Sequence, residues 1–207
     1  MDKPQAPQSV VICGHPAPPS ADPEAIAIET MNDILGGDFV SRINMNIRED
    51  KHWSYGAMSL LFRRPGASAR SWPTRRSRRT RPRRPMIEIR GEMEGVLGKK
   101  PITADEFQNM KASKVLGLPG RWETASAVQS SLAEIVSYGL PADFYQKYSA
   151  QVQKLALEDL AKAARKILRP DALTWVVVGD RAQIEPRIRE LGIADVFVID
   201  ADGNIVK

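Results

Sequence analysis

The run LTWVVVGD at residues 173–180 most restricts the folds open to this chain of 207 residues. Four consecutive apolar residues between turn-forming ends predict a buried β-strand, which needs a sheet to join and helices to cover it. A second apolar run, SVVICGH at residues 9–15, predicts another strand near the N-terminal end. A chain of this length is expected to form one domain, residues 1–207.

Apolar residues at helical spacing predict that helices fill most of the chain between these strands. The first predicted helix ends at Gly36-Gly37, and Thr103 and Glu106 predict a capping box at the start of a later one. Further strands are predicted in SYGAMSLLF (54–62) and in VFVID near the C-terminal end. The order of elements indicates an α+β fold, a mixed β-sheet covered by helices.

Arginine is concentrated in one stretch, RSWPTRRSRRTRPRRP at residues 70–85, which holds eight arginines and no acidic residue. Residues 63–85 hold ten, so the rest of the chain has a formal net charge of −5 although the whole chain has +5. Such a run is typical of a solvated basic loop or of an arm that contacts phosphates. With Trp72 alone for stacking and no recognisable binding module, we expect no nucleic acid partner.

The sequence offers few residues for metal chemistry. Catalytic zinc normally has three protein ligands, whereas His15 and His52 are the two histidines and lie far apart. Cys13 is the single cysteine and is predicted to be a small buried side chain. We therefore expect no metal or other cofactor on this chain.

Hydropathy gives expectations about location. No run approaches the eighteen or so apolar residues of a membrane span, so none is expected. The N-terminal segment MDKPQAPQS lacks the apolar core of a signal peptide, which predicts a cytoplasmic chain as written.

Four segments together resemble the pitrilysin/insulinase family of zinc metallopeptidases. They are APQSVVI, NDILGGDFVSRINMNIREDKHWSYGA, LPGRWETASAVQSSLAEIVSYGLPADFY and ALTWVVVGDRAQIEPRIRELG. The resemblance is to the second, non-zinc domain of a bacterial member and covers nearly the whole chain apart from about residues 64–85. It implies the metallohydrolase fold shared by insulinase and mitochondrial processing peptidase, in which two such units close around a peptide. Relatives are often periplasmic or exported.

The resemblance also implies which residues meet the substrate. In the family the first domain carries the zinc motif H-x-x-E-H, which this chain lacks. The second domain supplies an arginine and a tyrosine seven residues apart, which here are Arg48 and Tyr55, while Gly36 and Gly37 would line the chamber. On spacing alone, the pattern instead favours an exposed helical arginine that pairs with Glu49 or Asp50. An aromatic residue at the start of a strand would follow it.

Two departures from the family pattern lead to further expectations. The segment DKPQAPQS normally follows a strand and a whole catalytic domain, so the chain is expected to be truncated or to have a separately encoded zinc-bearing half. After SLLF the family continues with a strand resembling FLVYAPVQTDKT, where this chain has the arginine run. Codons can be chosen for residues 70–85 that, read two bases later, encode FLAYAPVQTDKTAAP. We therefore hypothesise a frameshift, and expect residues 64–85 to form a poorly ordered, aberrant insert that leaves a sheet edge unpaired.

Together these features predict the non-catalytic, substrate-binding half of a zinc-dependent peptidase. Zinc would be bound by a partner domain or subunit, and the chain alone would hydrolyse nothing. The alternatives are an inactive gene remnant or a scaffold or binding module of the same fold, and, less favoured, a basic nucleic-acid-binding protein.

Overall fold

The computed structural model describes residues 1–18, 22–62, 68–77 and 82–206. Its strands are β1 (Ser9–Ala17), β2 (Leu60–Phe62), β3 (Ser68–Ser77) and β4 (Thr174–Val178). Its α-helices are α1 (Ala25–Asn32), α2 (Arg42–Asn44), α3 (Arg83–Leu97), α4 (Ala104–Leu116), α5 (Ala125–Tyr138), α6 (Phe144–Lys154), α7 (Leu157–Ile167) and α8 (Arg181–Arg189). Wider π-helical turns extend α1 over Asp33–Gly37 and α2 over Met45–Asp50, and a 3₁₀ turn covers Pro119–Trp122.

The four strands form one sheet in the order β2-β3-β1-β4. All three neighbouring pairs are antiparallel. The α+β class is thereby confirmed. The expected mixed character is limited to a single parallel bridge between Asp2 and Gly179, outside the named strands.

The arginine run takes a different place from the one expected. Residues 68–77 form β3, an interior strand whose backbone pairs with β1 on one side and β2 on the other, and residues 83–85 begin α3. The backbone of residues 68–77 is thus paired on both sides, and the prediction that residues 64–85 form an aberrant insert stays a prediction. Residues 63–67 and 78–81 lie outside the described ranges. The frameshift stays a prediction, which the nucleotide sequence across residues 64–85 tests.

The core lies between the sheet and the helices. β1 buries alternate residues, as a strand with one covered face does, and Cys13 is among them as predicted. Burial raises the pKa of the Cys13 thiol, which therefore stays protonated and inert. Helix α7 presents a narrow apolar stripe to α1, made of Leu160, Ala163, Ala164 and Ile167.

A partly buried ion pair fixes α2 against α4. Thr103 and Glu106 form the predicted capping box, and Arg42 reaches the same Glu106 carboxylate with Nη2 at 2.6 Å. Burial alone would raise the Glu106 pKa, but hydrogen bonds from Arg42 and Thr103 outweigh it and lower the pKa to about 2. Helix α2 is only three residues long. The ion pair made by its first residue therefore helps to hold it in place.

One predicted strand is shorter in the structure than expected, and another does not join the sheet. Of residues 54–62, the strand includes Leu60–Phe62 alone. The VFVID segment is extended but joins no sheet strand among the described residues, and its pairing there is a bridge between Ile199 and Ile205. Apolar alternation predicts an extended segment, whereas a strand also requires a neighbouring strand to receive its backbone hydrogen bonds.

Candidate functional site

Arg48 lies on the π-helical extension of α2, with its side chain about one-third exposed. The guanidinium carbon lies 4.2 Å from the centre of the Phe39 ring, and Nε lies 3.3 Å from the Glu49 carboxylate. The stacking holds the planar group in one orientation and leaves its edge for hydrogen bonds. The buried Nη1 atom has no hydrogen-bond partner among the described residues. Arg48 thus makes the Glu49 pair expected from spacing alone and retains unused donors.

Asn44 links the two ends of the segment that carries Arg48 and Tyr55. Its Nδ2 donates to the Phe39 carbonyl at 2.6 Å, and its Oδ1 accepts from the Ala57 N–H at 2.9 Å. Asn44 is buried, so both bonds are sheltered from water. One side chain therefore positions the ring that stacks on Arg48 and the backbone just after Tyr55.

Tyr55 occupies an exposed turn between buried neighbours. The helical segment before it ends at Asp50. His52 then adopts a left-handed φ of 54°, and Trp53 N–H donates back to the Ile47 carbonyl at 3.0 Å. Ser54 and Ala57 are buried, whereas Tyr55 itself is 67% exposed. The turn therefore presents the phenol on the surface while its flanks are anchored in the domain.

Gly36 is buried, and the chain passes very close to it. Ser59 N–H donates to the Gly36 carbonyl at 2.6 Å, and a Cβ built on Gly36 would lie 2.7 Å from the Ser59 Cβ. Ser59 is itself fixed, because its hydroxyl donates to buried Asn32. The structure therefore gives Gly36 a packing role at the crossing of α1 and the approach to β2.

We predict that Gly36→Ala destabilises the domain by about 2 kcal/mol, because the added methyl group has no space at this crossing. Gly91→Ala is the matched control: Gly91 is exposed within α3, and a Cβ there would meet nothing within 4 Å. That variant is expected to stabilise the domain by about 0.5–1 kcal/mol through helix propensity. Chemical denaturation measures both, and two changes of the same sign would contradict the packing role of Gly36.

Gly37 lines a cavity of about 270 Å³ between α1, the β2 approach and α5–α6. Arg48 and Tyr55 are not among its lining residues. The four residues singled out from the sequence thus fall into three places: the surface loop with Arg48 and Tyr55, the buried crossing with Gly36, and the cavity with Gly37.

Charged groups at this cavity are paired with one another. Lys114 lies 2.6 Å from Asp33 and 3.1 Å from Glu29, and its side chain is only 9% exposed. Burial raises the pKa of Asp33, and Lys114 offsets this only in part. On the other wall, burial and a hydrogen bond to Glu134 raise the pKa of Tyr145 to about 12. The cavity is therefore polar, and the charged groups around it neutralise one another.

Metal ligands do not cluster in the part of the chain that the structure describes. No group of three or more His, Cys, Asp or Glu side chains there could hold a metal ion. His15 is buried on β1, whereas His52 is exposed at the end of the α2 extension. The residues that the structure describes therefore do not fit a catalytic zinc ion.

Parts of the chain are similar to known proteins. Residues 1–67 match the family model described as the peptidase M16 inactive domain, and this segment contains all four singled-out residues. Over these residues the chain is similar to the inactive domain of M16 peptidases. The match confirms the resemblance to the second, non-zinc domain of this family.

Solved structures agree with the M16-like fold. A peptidase M16 inactive domain from Pseudomonas fluorescens has a TM-score of 0.77 and 20% identity, with 87% of this chain and 42% of that chain covered. A protease from Helicobacter pylori has a TM-score of 0.77 and 18% identity, with 86% and 43% covered. An inactive peptidase domain from Bordetella parapertussis has a TM-score of 0.68 and 13% identity, with 86% and 94% covered. The M16-like chain thus spans about two-fifths of the first two proteins, and no curated protein matches it.

Neither Asn44 nor Phe39 was singled out from the sequence of the M16-like domain. Both lie in the recognised segment NDILGGDFVSRINMNIREDKHWSYGA, but their roles depend on contacts across five to thirteen positions. The periodicity of the sequence does not predict these contacts. Among the residues that the structure describes, no helix is both long and apolar enough to cross a bilayer.

Proposed function

We propose that this M16-like domain is the substrate-binding, non-catalytic half of a zinc-dependent peptidase and acts with a zinc-bearing partner. One observation carries the proposal: Phe39 and Glu49 fix the Arg48 guanidinium in one orientation while about one-third of its side chain stays exposed. The guanidinium could donate a hydrogen bond to the carbonyl oxygen of a bound peptide.

Tyr55 completes the proposed site chemically. Its exposed phenol could donate a hydrogen bond to the oxyanion that forms when water attacks a peptide carbonyl. The zinc and the general base would come from the partner, which supplies the attacking water. This division of labour agrees with the family description and with the zinc proteases among the structural neighbours.

Reconstitution tests the proposal. The chain alone is expected to hydrolyse no peptide, and a zinc-bearing chain with an H-x-x-E-H motif is expected to cleave a fluorogenic peptide library only when this chain is added. The control adds the same partner with its motif glutamate replaced by glutamine, which removes the general base. Unchanged hydrolysis on adding this chain would favour the second candidate, a binding module or remnant of the same fold.

A further inference from the structure

Burial does not hold the two aromatic side chains of the proposed site in place. The Phe39 ring, which stacks on Arg48, is 66% exposed, and the Tyr55 phenol is 67% exposed. A side chain with so few packed neighbours keeps a fixed position only if the backbone that carries it is anchored. The placement of both rings therefore depends on the hydrogen bonds made by their own turns.

The turn that carries Phe39, residues 38–41, is closed by its own hydrogen bonds. Val40 N–H donates to Asp38 Oδ1 at 3.1 Å, and Ser41 N–H donates to the Asp38 carbonyl at 3.1 Å. Both bonds join residues within the turn. The bond from Asn44 Nδ2 to the Phe39 carbonyl, at 2.6 Å, joins the turn to α2, whose extension carries the guanidinium. This bond therefore sets where the ring lies relative to the guanidinium that it stacks on.

The turn that carries Tyr55, residues 54–57, has the same organisation. Ser54 Oγ donates to the Gly56 carbonyl at 2.7 Å and accepts from the Gly56 N–H at 3.3 Å. The bond from Ala57 N–H to Asn44 Oδ1, at 2.9 Å, joins this turn to the same helix. A Cβ built on Gly56 would lie 3.7 Å from that Oδ1, so the turn passes directly over the amide. One amide thus connects both turns to the helix between them.

We propose that Asn44 is a positioning residue that sets the placement of the Arg48 and Tyr55 side chains relative to each other. Its effect on hydrolysis rests on the proposed function, whereas its effect on the geometry does not. An amide suits both bonds, because Nδ2 donates to a carbonyl and Oδ1 accepts from an N–H, whereas a carboxylate only accepts and an alkyl group does neither. Asn44 is 4% exposed, so water has little access to replace a lost bond.

Two substitutions separate the two bonds in the chain alone. Asn44→Asp keeps the volume and the acceptor for Ala57 but places a carboxylate oxygen against the Phe39 carbonyl. In its NMR spectrum we expect the Arg48 Nε–H resonance to lose the ring-current shift of Phe39, while the Ala57 amide keeps its slow hydrogen exchange. Asn44→Leu is expected to change both signals, with exchange of that amide about tenfold faster. The matched control, Asn32→Leu, removes another buried amide, one that accepts from Ser59, and should change neither.

The same variants are assayed with the zinc-bearing partner, under conditions where urea denaturation shows them folded. Asn44→Asp is expected to raise KM about tenfold and leave kcat within about twofold, because Tyr55 stays in place. Asn44→Leu is expected to lower kcat/KM about a hundredfold, with kcat reduced as well, because both donors are displaced. Adding Phe39→Leu to Asn44→Asp should cause no further loss beyond either change alone, since both act through Arg48. Asn32→Leu should keep both constants within about twofold.

The outcomes distinguish failure of this inference from failure of the proposed function. Unchanged NMR and exchange signals, or kinetic losses no larger than those of Asn32→Leu, would overturn the role of Asn44 and leave the proposed function standing. An equal fall in kcat for Asn44→Asp and Asn44→Leu would also overturn it. The expected NMR and exchange changes in a chain that gives no hydrolysis with the partner would do the reverse. Asn44→Asp, which keeps one bond, decides the matter if Asn44→Leu does not fold.

Discussion

Lys114→Met is expected to destabilise the domain by about 3–5 kcal/mol. The ammonium group lies between the carboxylates of Asp33 and Glu29 and within 3.4 Å of the Tyr148 hydroxyl, with a side chain 9% exposed. Burial alone would lower the Lys114 pKa, but the two carboxylates outweigh it and raise the pKa. Removing this cation leaves two neighbouring negative charges, one of them largely buried, without a counter-ion.

The pH dependence of this loss identifies its cause. The pKa of Asp33 is already raised by burial, and without Lys114 it rises further. A group whose pKa is higher in the folded protein takes up a proton on folding, so the folded state is favoured at low pH and loses this advantage as pH rises. The loss in Lys114→Met is therefore expected to be smaller at pH 5 than at pH 8.

Urea denaturation at the two pH values measures the effect. The matched control is Lys147→Met, which removes an exposed i,i+4 pair with Asp143 and should change the free energy of unfolding by no more than about 0.5 kcal/mol. Adding Asp33→Asn to Lys114→Met should recover at least about 1 kcal/mol, because the unpaired charge is then gone. Equal losses at both pH values with no recovery would contradict the charge explanation.

Sequence periodicity predicted helices well where a helix buries a stripe of apolar residues, as α1, α3 and α7 do. The strong stripe on α7 and the capping box of α4 are local patterns, and both are present in the structure. The two π-helical turns were not predicted, because they follow from how α1 and α2 meet the sheet. VFVID was expected to be a strand, yet strand formation depends on a neighbour that periodicity does not report.

The arginine run is the largest difference between sequence expectation and structure. Its composition predicts a solvated loop, yet β3 lies between β1 and β2, with Pro73 opposite Ile12. Proline is rare in interior strands because it cannot donate to the ladder. Tertiary context has thus placed a segment of poor strand composition between two other strands, and the frameshift stays a prediction.

The candidate site was predictable only through resemblance. Spacing alone favoured an exposed arginine paired with Glu49, and that pair is present. The stacking of Phe39 on Arg48 and the tie made by Asn44 depend on folding of the loop. Gly36 and Gly37 were expected together on a chamber wall, whereas close approach of Ser59 buries the first and leaves the second at the cavity.

Arg48→Ala and Tyr55→Phe are each expected to lower kcat/KM of the reconstituted peptidase about a hundredfold, since a donor aimed at the reacting carbonyl contributes roughly 3 kcal/mol. The two losses should differ in kind. Arg48 would hold the substrate carbonyl before and during reaction, so its removal should raise KM as well as lower kcat. Tyr55 would meet the oxyanion only in the transition state, so Tyr55→Phe should lower kcat with KM nearly unchanged.

Control variants separate this chemistry from packing. Arg90→Ala removes another arginine–glutamate pair, on the exposed face of α3, and Tyr138→Phe removes another tyrosine hydroxyl, at the end of α5. Both should leave kcat/KM within about twofold. Phe39→Leu removes the ring that orients Arg48 without removing its charge, and about a tenfold loss, mainly in KM, is expected because the guanidinium is no longer held in one plane. If Arg48→Ala and Tyr55→Phe match the controls, the site belongs elsewhere on the domain.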